Sequence, residues 1–106
     1  MISIVIPTYN NLEYLKLCLK SLKRNSSFNH EIIIHINDGS DGTLDFIKNN
    51  NYKHTSSDNN IGLCSSINKA AKLISNKYIL YSHDDMYFCP EWDEVLINEI
   101  KNIGHD

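Results

Sequence analysis

The chain has 106 residues, 42% hydrophobic and 22% charged, which suits one small globular domain with a single core. Its net charge is −3 and no basic cluster exceeds a pair such as Lys23-Arg24, so it lacks the electrostatic footprint of a nucleic-acid-binding protein. No apolar run approaches the ~20 residues of a transmembrane span, and Met1 leads straight into strand-like sequence without a signal peptide, so a cytoplasmic protein is expected.

Ile2 to Ile6 is an apolar run broken only by Ser3, the pattern of a strand covered on both faces. Pro7 has no N–H for a sheet ladder and is expected to end it. Asn10 stands three residues before Glu13, a capping-box-like spacing. Leu12, Leu15, Cys18, Leu19 and Leu22 then recur with helical period, while Lys16, Lys20 and Lys23 point elsewhere. Glu31 to Ile36 reads as a second buried strand, ending in the turn-rich Asn37-Asp-Gly-Ser-Asp-Gly-Thr43, whose glycines can take positive φ. Thr43 to about Asn49 can form a short helix with Leu44 and Ile47 inward, and Tyr52 to Ser56 is polar enough for a short strand near an edge.

Beyond the polar loop Asp58 to Gly62, Leu63, Ile67, Ala70, Ala71 and Ile74 predict a helix over 63–75. Lys77 to Tyr81 is the next strand. Pro90 sits where a last helix begins, with an apolar face of Trp92, Val95, Leu96, Ile100 and Ile103 and Gly104 as its stop. Cys18, Cys64 and Cys89 have no Cys-x-x-Cys spacing, and the five histidines have no ligand spacing. They read as reduced thiols and structural histidines, with no zinc site.

Alternation of this kind predicts an α/β fold: a mostly parallel open sheet of about four strands, with helices on both faces and right-handed crossovers. In such sheets ligands collect beyond the carboxyl ends of the strands. Four polar loops fall there: Pro7 to Asn10, Asn37 to Thr43, Asp58 to Gly62 and Ser82 to Asp85.

The last of these ends in two adjacent carboxylates, Asp84 and Asp85, which repel unless water or a cation separates them. A hard divalent metal carrying a diphosphate would use the pair, although a solvated acidic turn is the simpler reading of the dipeptide alone. Asp38 suits an Asx-type turn, or an acceptor for a base N–H or a ribose hydroxyl. Pro7, Thr8 and Tyr9 could flank such a base, although Tyr9 alone reads as a packing residue. Gly62 lets the backbone approach a ligand just before a helix whose first amides could face a diphosphate. Lys69 and Lys72 either assist there or are simply solvated. There is no Gly-x-Gly-x-x-Gly and no Gly-x-x-x-x-Gly-Lys-Ser/Thr, which disfavours a dinucleotide site or a P-loop.

Taken together, Ile4-Val-Ile-Pro-Thr-Tyr-Asn10, Asn37-Asp-Gly-Ser-Asp-Gly-Thr43, Asn60-Ile-Gly62 with Asn68-Lys-Ala70, and Tyr78-Ile-Leu-Tyr-Ser-His-Asp-Asp85 resemble a known family in order and spacing. They resemble the nucleotide-binding half of the inverting, metal-dependent glycosyltransferases with the GT-A fold, family 2-like, over essentially the whole chain. The resemblance implies transfer of a sugar from a nucleotide-diphospho-sugar, usually a uridine one, to a hydroxyl of a saccharide, lipid or protein acceptor. It places Pro7, Thr8 and Tyr9 against the base, with Asp38 hydrogen-bonding it and Gly62 and Asn68 alongside the nucleotide. Asp85 would be the direct ligand of Mg²⁺ or Mn²⁺, with Asp84 nearer the ribose and metal.

Three positions depart from the family pattern. Asn37 stands where a first aspartate is common, Ser82 replaces the first acid of an Asp-x-Asp motif, and His83 fills its middle. A carboxylate acting as general base must reach the acceptor hydroxyl. Glu91, Asp93 and Glu94 are the nearby candidates, and they read better as surface acids compensating the dipole of the last helix. Residues 1–106 are therefore expected to be a donor-binding part truncated before the acceptor half, with the base beyond it. The full enzyme could sit peripherally at a membrane, and an exposed sheet edge would favour a homodimer. A non-catalytic nucleotide-sugar-binding module is the alternative. A phospho-receiver comes last, because Pro-Thr-Tyr-Asn follows the first strand where a receiver has an acidic pair.

Overall fold

The computed structural model describes residues 2–103. Along the chain run β1 (Ile2–Tyr9), α1 (Leu12–Asn25), β2 (Glu31–Asn37), α2 (Thr43–Asn49), β3 (Lys53–Ser57), α3 (Leu63–Ala71), β4 (Tyr78–Tyr81) and α4 (Trp92–Asn102). The four strands form one parallel sheet in the order β3-β2-β1-β4. The two most apolar runs thus become the central strands, and the polar Lys53–Ser57 lies at an edge as its composition predicts.

Side chains alternate across the sheet with period two, so parity assigns each to a layer. Ile4, Ile6, Ile34 and Ile36 point to one face, where Leu15, Cys18, Leu19 and Leu22 of α1 and Ile47 of α2 complete a core. Trp92, Leu96 and Ile97 of α4 pack against the same core. Val5 and Ile33 point the other way, to Ala70 and Ile67 of α3. Three helices therefore cover one face and one covers the other.

Several sequence expectations are corrected in detail. Pro7 does not end its strand, and β1 pairs with β2 as far as Tyr9 opposite Asn37. The carbonyl of Val5 accepts the Ser82 N–H at 3.0 Å, so Val5 turns its backbone toward β4. Two residues on, Pro7 turns the same way, but β4 has ended at Tyr81 opposite Val5. The missing N–H of Pro7 thus falls where no partner strand exists. The capping box also fails. Asn10 has φ 44 and lies outside α1, and the first amide of that helix, at Leu12, is taken by Asp41 at 3.2 Å. α3 stops at Ala71, after which Leu73 and Ile74 bond carbonyls three residues back, tightening the chain out of the helix.

The apolar face of α4 is rotated from the expected one. Val95 and Ile103 are 63% and 65% exposed, while Asp93 is fully buried. Asp93 is therefore not a surface acid. Its carboxylate accepts the N–H of Ser27 (2.9 and 3.0 Å), the N–H of Phe28 (2.9 Å) and a bond from His30 Nε2 (2.8 Å). Burial pushes its pKa up, but these bonds from Ser27, His30 and Phe28 outweigh that and hold it below the ordinary 3.8. The carboxylate pins the start of α4 to the segment before β2. Gly104, the expected stop of this helix, lies outside the described residues. No helix among the described residues is long and apolar enough to cross a membrane.

Candidate nucleotide-binding site

At the carboxyl ends of the strands lies a cleft of about 210 Å³. Pro7, Thr8 and Tyr9 supply one wall from β1, and Asn37 enters from β2. Asn60, Gly62, Leu63 and Ser66 form the side nearest α3, and Tyr81, His83 and Asp84 close it from β4. All four strand-end loops were expected to converge here. Three of the sequence stretches do so through lining residues, and the Asn37 to Thr43 loop contributes only its first residue.

Five of the expected site residues meet in the cleft: Pro7, Thr8, Tyr9, Gly62 and Asp84. Tyr9 is 51% exposed, so it is not the packing residue its aromatic ring alone suggested. Asp38, Asn68 and Asp85 are not among the lining residues. Asp38 has φ 65, and its carboxylate accepts Asn10 Nδ2 at 3.0 Å while its N–H donates to the Ser57 carbonyl. Asn68 is exposed on α3 two residues past Ser66, a spacing that puts the two on different helix faces. Asp85 is exposed immediately after Asp84.

Asp84 is held by two donors. Thr8 Oγ1 bonds one carboxylate oxygen at 2.8 Å and Asn11 Nδ2 bonds the other at 3.2 Å. These bonds tie the end of β4 to the end of β1 and the start of α1. A carboxylate has about four acceptor positions, so each oxygen keeps one free. Ser82 is buried and donates its hydroxyl to the His83 carbonyl, and His83 Nδ1 lies 3.2 Å from the Tyr81 hydroxyl. His83 thus belongs to the cleft wall. Nearby, burial pushes the Cys18 thiol up to about 11, with Asp84 and Asp85 adding to the effect against a bond from Ser82. That thiol is inert.

Asn37, which the sequence marks only as a departure from the family pattern, lines the cleft together with Leu63, Ser66 and Tyr81, none of them expected site residues. It is 3% exposed, and its amide nitrogen donates to the Thr8 carbonyl (3.1 Å) and Ser66 Oγ (3.0 Å). Its amide oxygen accepts the Ile61 N–H at 3.0 Å. One side chain therefore joins β1, α3 and the Asp58 to Gly62 loop. An aspartate could not donate the first two bonds, so the amide suits this position. The available signal was a polar side chain with the parity of Val5 and Ile33, at the end of an apolar strand.

Gly62 has φ 85 and ψ 170, a combination open essentially to glycine, and a Cβ there would meet nothing within 4 Å. Its backbone thus faces open space at the mouth of α3. For a metal, no three His, Cys, Asp or Glu side chains converge among the described residues. Asp84 and Asp85 offer only hard carboxylate oxygens, which fits Mg²⁺ or Mn²⁺ completed by phosphate oxygens and water, not a closed protein cage.

Glu91, Asp93 and Glu94 lie at the other end of the sheet. α1 starts at the cleft and runs 14 residues, about 21 Å at helical rise, to Asn25, whose carbonyl accepts the Glu91 N–H. None of these acids can reach an acceptor bound at the cleft.

A parallel α/β sheet with a cleft beyond the carboxyl ends of its strands is the arrangement in which open α/β domains gather their ligands. The model of the family described as Glycosyl transferase family 2 matches residues 3–106, and the chain belongs to that family. It is 30% identical over 113 residues to an uncharacterized glycosyltransferase of Rickettsia bellii, a match covering 99% of this chain and 16% of that protein. It is 29% identical over 101 residues to the putative glycosyltransferase EpsH of Bacillus subtilis, covering 91% of this chain and 29% of the relative. The crystal structure of S. aureus TarS 1–349 shares the fold with a TM-score of 0.84 at 24% identity, over 95% of this chain and 32% of that one. The chain thus spans less than a third of each of these proteins.

Proposed function

We propose that these residues bind a nucleotide-diphospho-sugar with UDP as its nucleotide, as the donor half of a glycosyltransferase acting on an acceptor hydroxyl. The observation that carries this is the cleft itself, with the Thr8–Asp84 bond on one side and the open Gly62 backbone on the other, in a family 2 chain. In this reading the base lies against Pro7, Thr8 and Tyr9, with Asp38 and Asn68 at the margins. The diphosphate lies between the α3 amides and Asp84. TarS 1–349 has been solved in complex with UDP-GlcNAc and with UDP, which supports the choice of nucleotide.

Asp84, aided by Asp85, would hold Mg²⁺ or Mn²⁺, and the cation would supply charge neutralisation to the leaving diphosphate. Because Asp84 lines the cleft and Asp85 does not, Asp84 is the better placed direct ligand. Thr8 and Asn11 orient its carboxylate, and Asn37 holds the facing loop. A base activating the acceptor would come from outside the described residues. The remote position of Glu91, Asp93 and Glu94 equally favours a second reading, a nucleotide-sugar-binding module without catalysis.

Calorimetric titration with UDP, with and without Mn²⁺, tests the proposal. Wild-type protein should bind UDP more tightly with the metal. Asp84→Asn should lose roughly ten- to a hundredfold of the metal-dependent affinity, the scale of one charged contact. Failure to bind any nucleoside diphosphate in either condition would refute the reading. Release of sugar from a UDP-sugar by these residues alone would exclude the binding-module alternative.

A further inference from the structure

His35 lies outside the cleft, in the middle of β2, and is fully buried beneath α3. Its ring lies between two hydroxyls, with Nδ1 2.7 Å from Thr55 Oγ1 and Nε2 3.1 Å from Ser57 Oγ. Ser57 has one proton, and its shortest acceptor is the Asn59 carbonyl at 2.7 Å. With that proton spent, Ser57 Oγ must accept from the ring. His35 therefore carries its proton on Nε2, and Nδ1 accepts the Thr55 hydroxyl. Burial and then the nearby Lys69 charge push the pKa of His35 down, against the opposing pull of the Asn37 side-chain oxygen, and the ring is held neutral.

The other protons follow from the shortest contacts in the same way, and the longer Ser57 Oγ–Asn37 Oδ1 contact of 3.2 Å is left without a proton. Asn37 Nδ2 donates to Ser66 Oγ, leaving the Ser66 proton for the Gly62 carbonyl at 2.6 Å. The Ile61 N–H reaches Asn37 Oδ1, and the Gly62 N–H reaches Asn60 Oδ1 at 3.0 Å. No buried side-chain nitrogen or oxygen among the described residues is left unpaired. Apart from the internal bond between Gly62 and Asn60, the polar anchors that tie the Asp58 to Gly62 loop to the sheet run through Ser57, which His35 holds, and through Asn37, directly or by way of Ser66.

We infer that His35 is a positioning residue for donor binding: through Ser57 and the Asn59 carbonyl it holds the Asp58 to Gly62 loop in the shape that presents the Gly62 backbone to the ligand. The inference rests on the cleft being the donor site, but its structural half can be read without ligand. Leucine removes both ring nitrogens at similar volume. Glutamine can place its amide nitrogen near the position of Nε2 and restore the donor to Ser57.

The test compares wild-type, His35→Leu, His35→Gln and Ser57→Ala proteins by amide hydrogen exchange and by UDP titration with Mn²⁺. His35→Leu and Ser57→Ala should exchange the Ile61 amide faster and bind UDP about three- to thirtyfold more weakly, the range for changes along a packed network. His35→Gln should recover most of both. If His35→Leu fails to fold, Ser57→Ala and His35→Gln carry the comparison. Unchanged Ile61 exchange in folded His35→Leu or Ser57→Ala overturns the inference, as does a glutamine variant no better than leucine. Faster Ile61 exchange in a protein whose wild type binds no nucleotide would preserve the loop-holding role and refute the donor site instead.

Discussion

Replacing Asp93 by asparagine separates a structural carboxylate from a surface or catalytic one. One carboxylate oxygen takes the Ser27 N–H (2.9 Å), the Phe28 N–H (2.9 Å) and His30 Nε2 (2.8 Å). The other takes the Glu94 N–H at 3.1 Å and shares that of Ser27 at 3.0 Å. An amide must put its –NH₂ on one of these sides. The less costly choice sets it against Glu94 and loses that bond, and the other bonds lose their charge assistance. A bond to a charged group contributes about 1.5–3 kcal/mol and a neutral one about 1, so the loss should total roughly 2–4 kcal/mol. A domain of this size has only about 5–15 kcal/mol of stability, and at ~4–8 °C per kcal/mol the melting temperature should fall by about 8–32 °C. Because the folded pKa lies below 3.8, the carboxylate contributes stability above that pH. The contribution is lost as pH falls through the folded value, so the wild type should converge on the variant in acid. Circular-dichroism melts check this, with UDP titration at low temperature beside them. An unchanged melting temperature would mean a solvated acid. A folded variant that binds UDP poorly would place Asp93 in the site.

Two further outcomes follow from local geometry. Gly39 has φ +78, and a Cβ there would lie 2.8 Å from Ile36 Cγ2 and 3.1 Å from Leu44 Cβ. Gly39→Ala should therefore cost about 2–5 kcal/mol from left-handed strain and overpacking, read as a lower denaturation midpoint with an unchanged slope. Glu31 is held down to about 2 from 4.5 by bonds from Lys53, Ser75 and Ser3. Its contribution is full above pH 4.5 and disappears as pH falls toward 2, so Glu31→Gln should flatten the loss of stability across that window in urea titrations.

Much of the fold was legible because central strands and amphipathic helices write their burial into local periodicity. Leu15, Cys18, Leu19 and Leu22 pack where the helical period put them. Pro7 misled because its effect depends on whether a neighbouring strand needs its N–H, and that depends on where β4 ends. Asn10 misled because its side chain was already engaged, with Asp38 and with the Gly39 N–H at 3.1 Å. Asp93 misled most. Acids in a first helical turn suit the dipole, and nothing local says that two unpaired amides and a histidine wait 63–66 residues earlier.

The cleft divides in the same way. Asp84, Thr8, Tyr9 and Gly62 could be named from residue type at strand ends, since parallel topology alone carries those ends together. Their linkage could not. The Thr8–Asp84 bond spans 76 residues and the Asn37–Ser66 bond 29.

By itself, then, the sequence determined the alternation of strands and helices, the parallel sheet and the family, because each rests on short-range pattern or ordered motifs. Only the tertiary structure decided which carboxylate is buried, which faces the cleft, and which side chains hold the Asp58 to Gly62 loop. Those outcomes turn on desolvation and on donors supplied from far along the chain, and neither is set until the layers have packed.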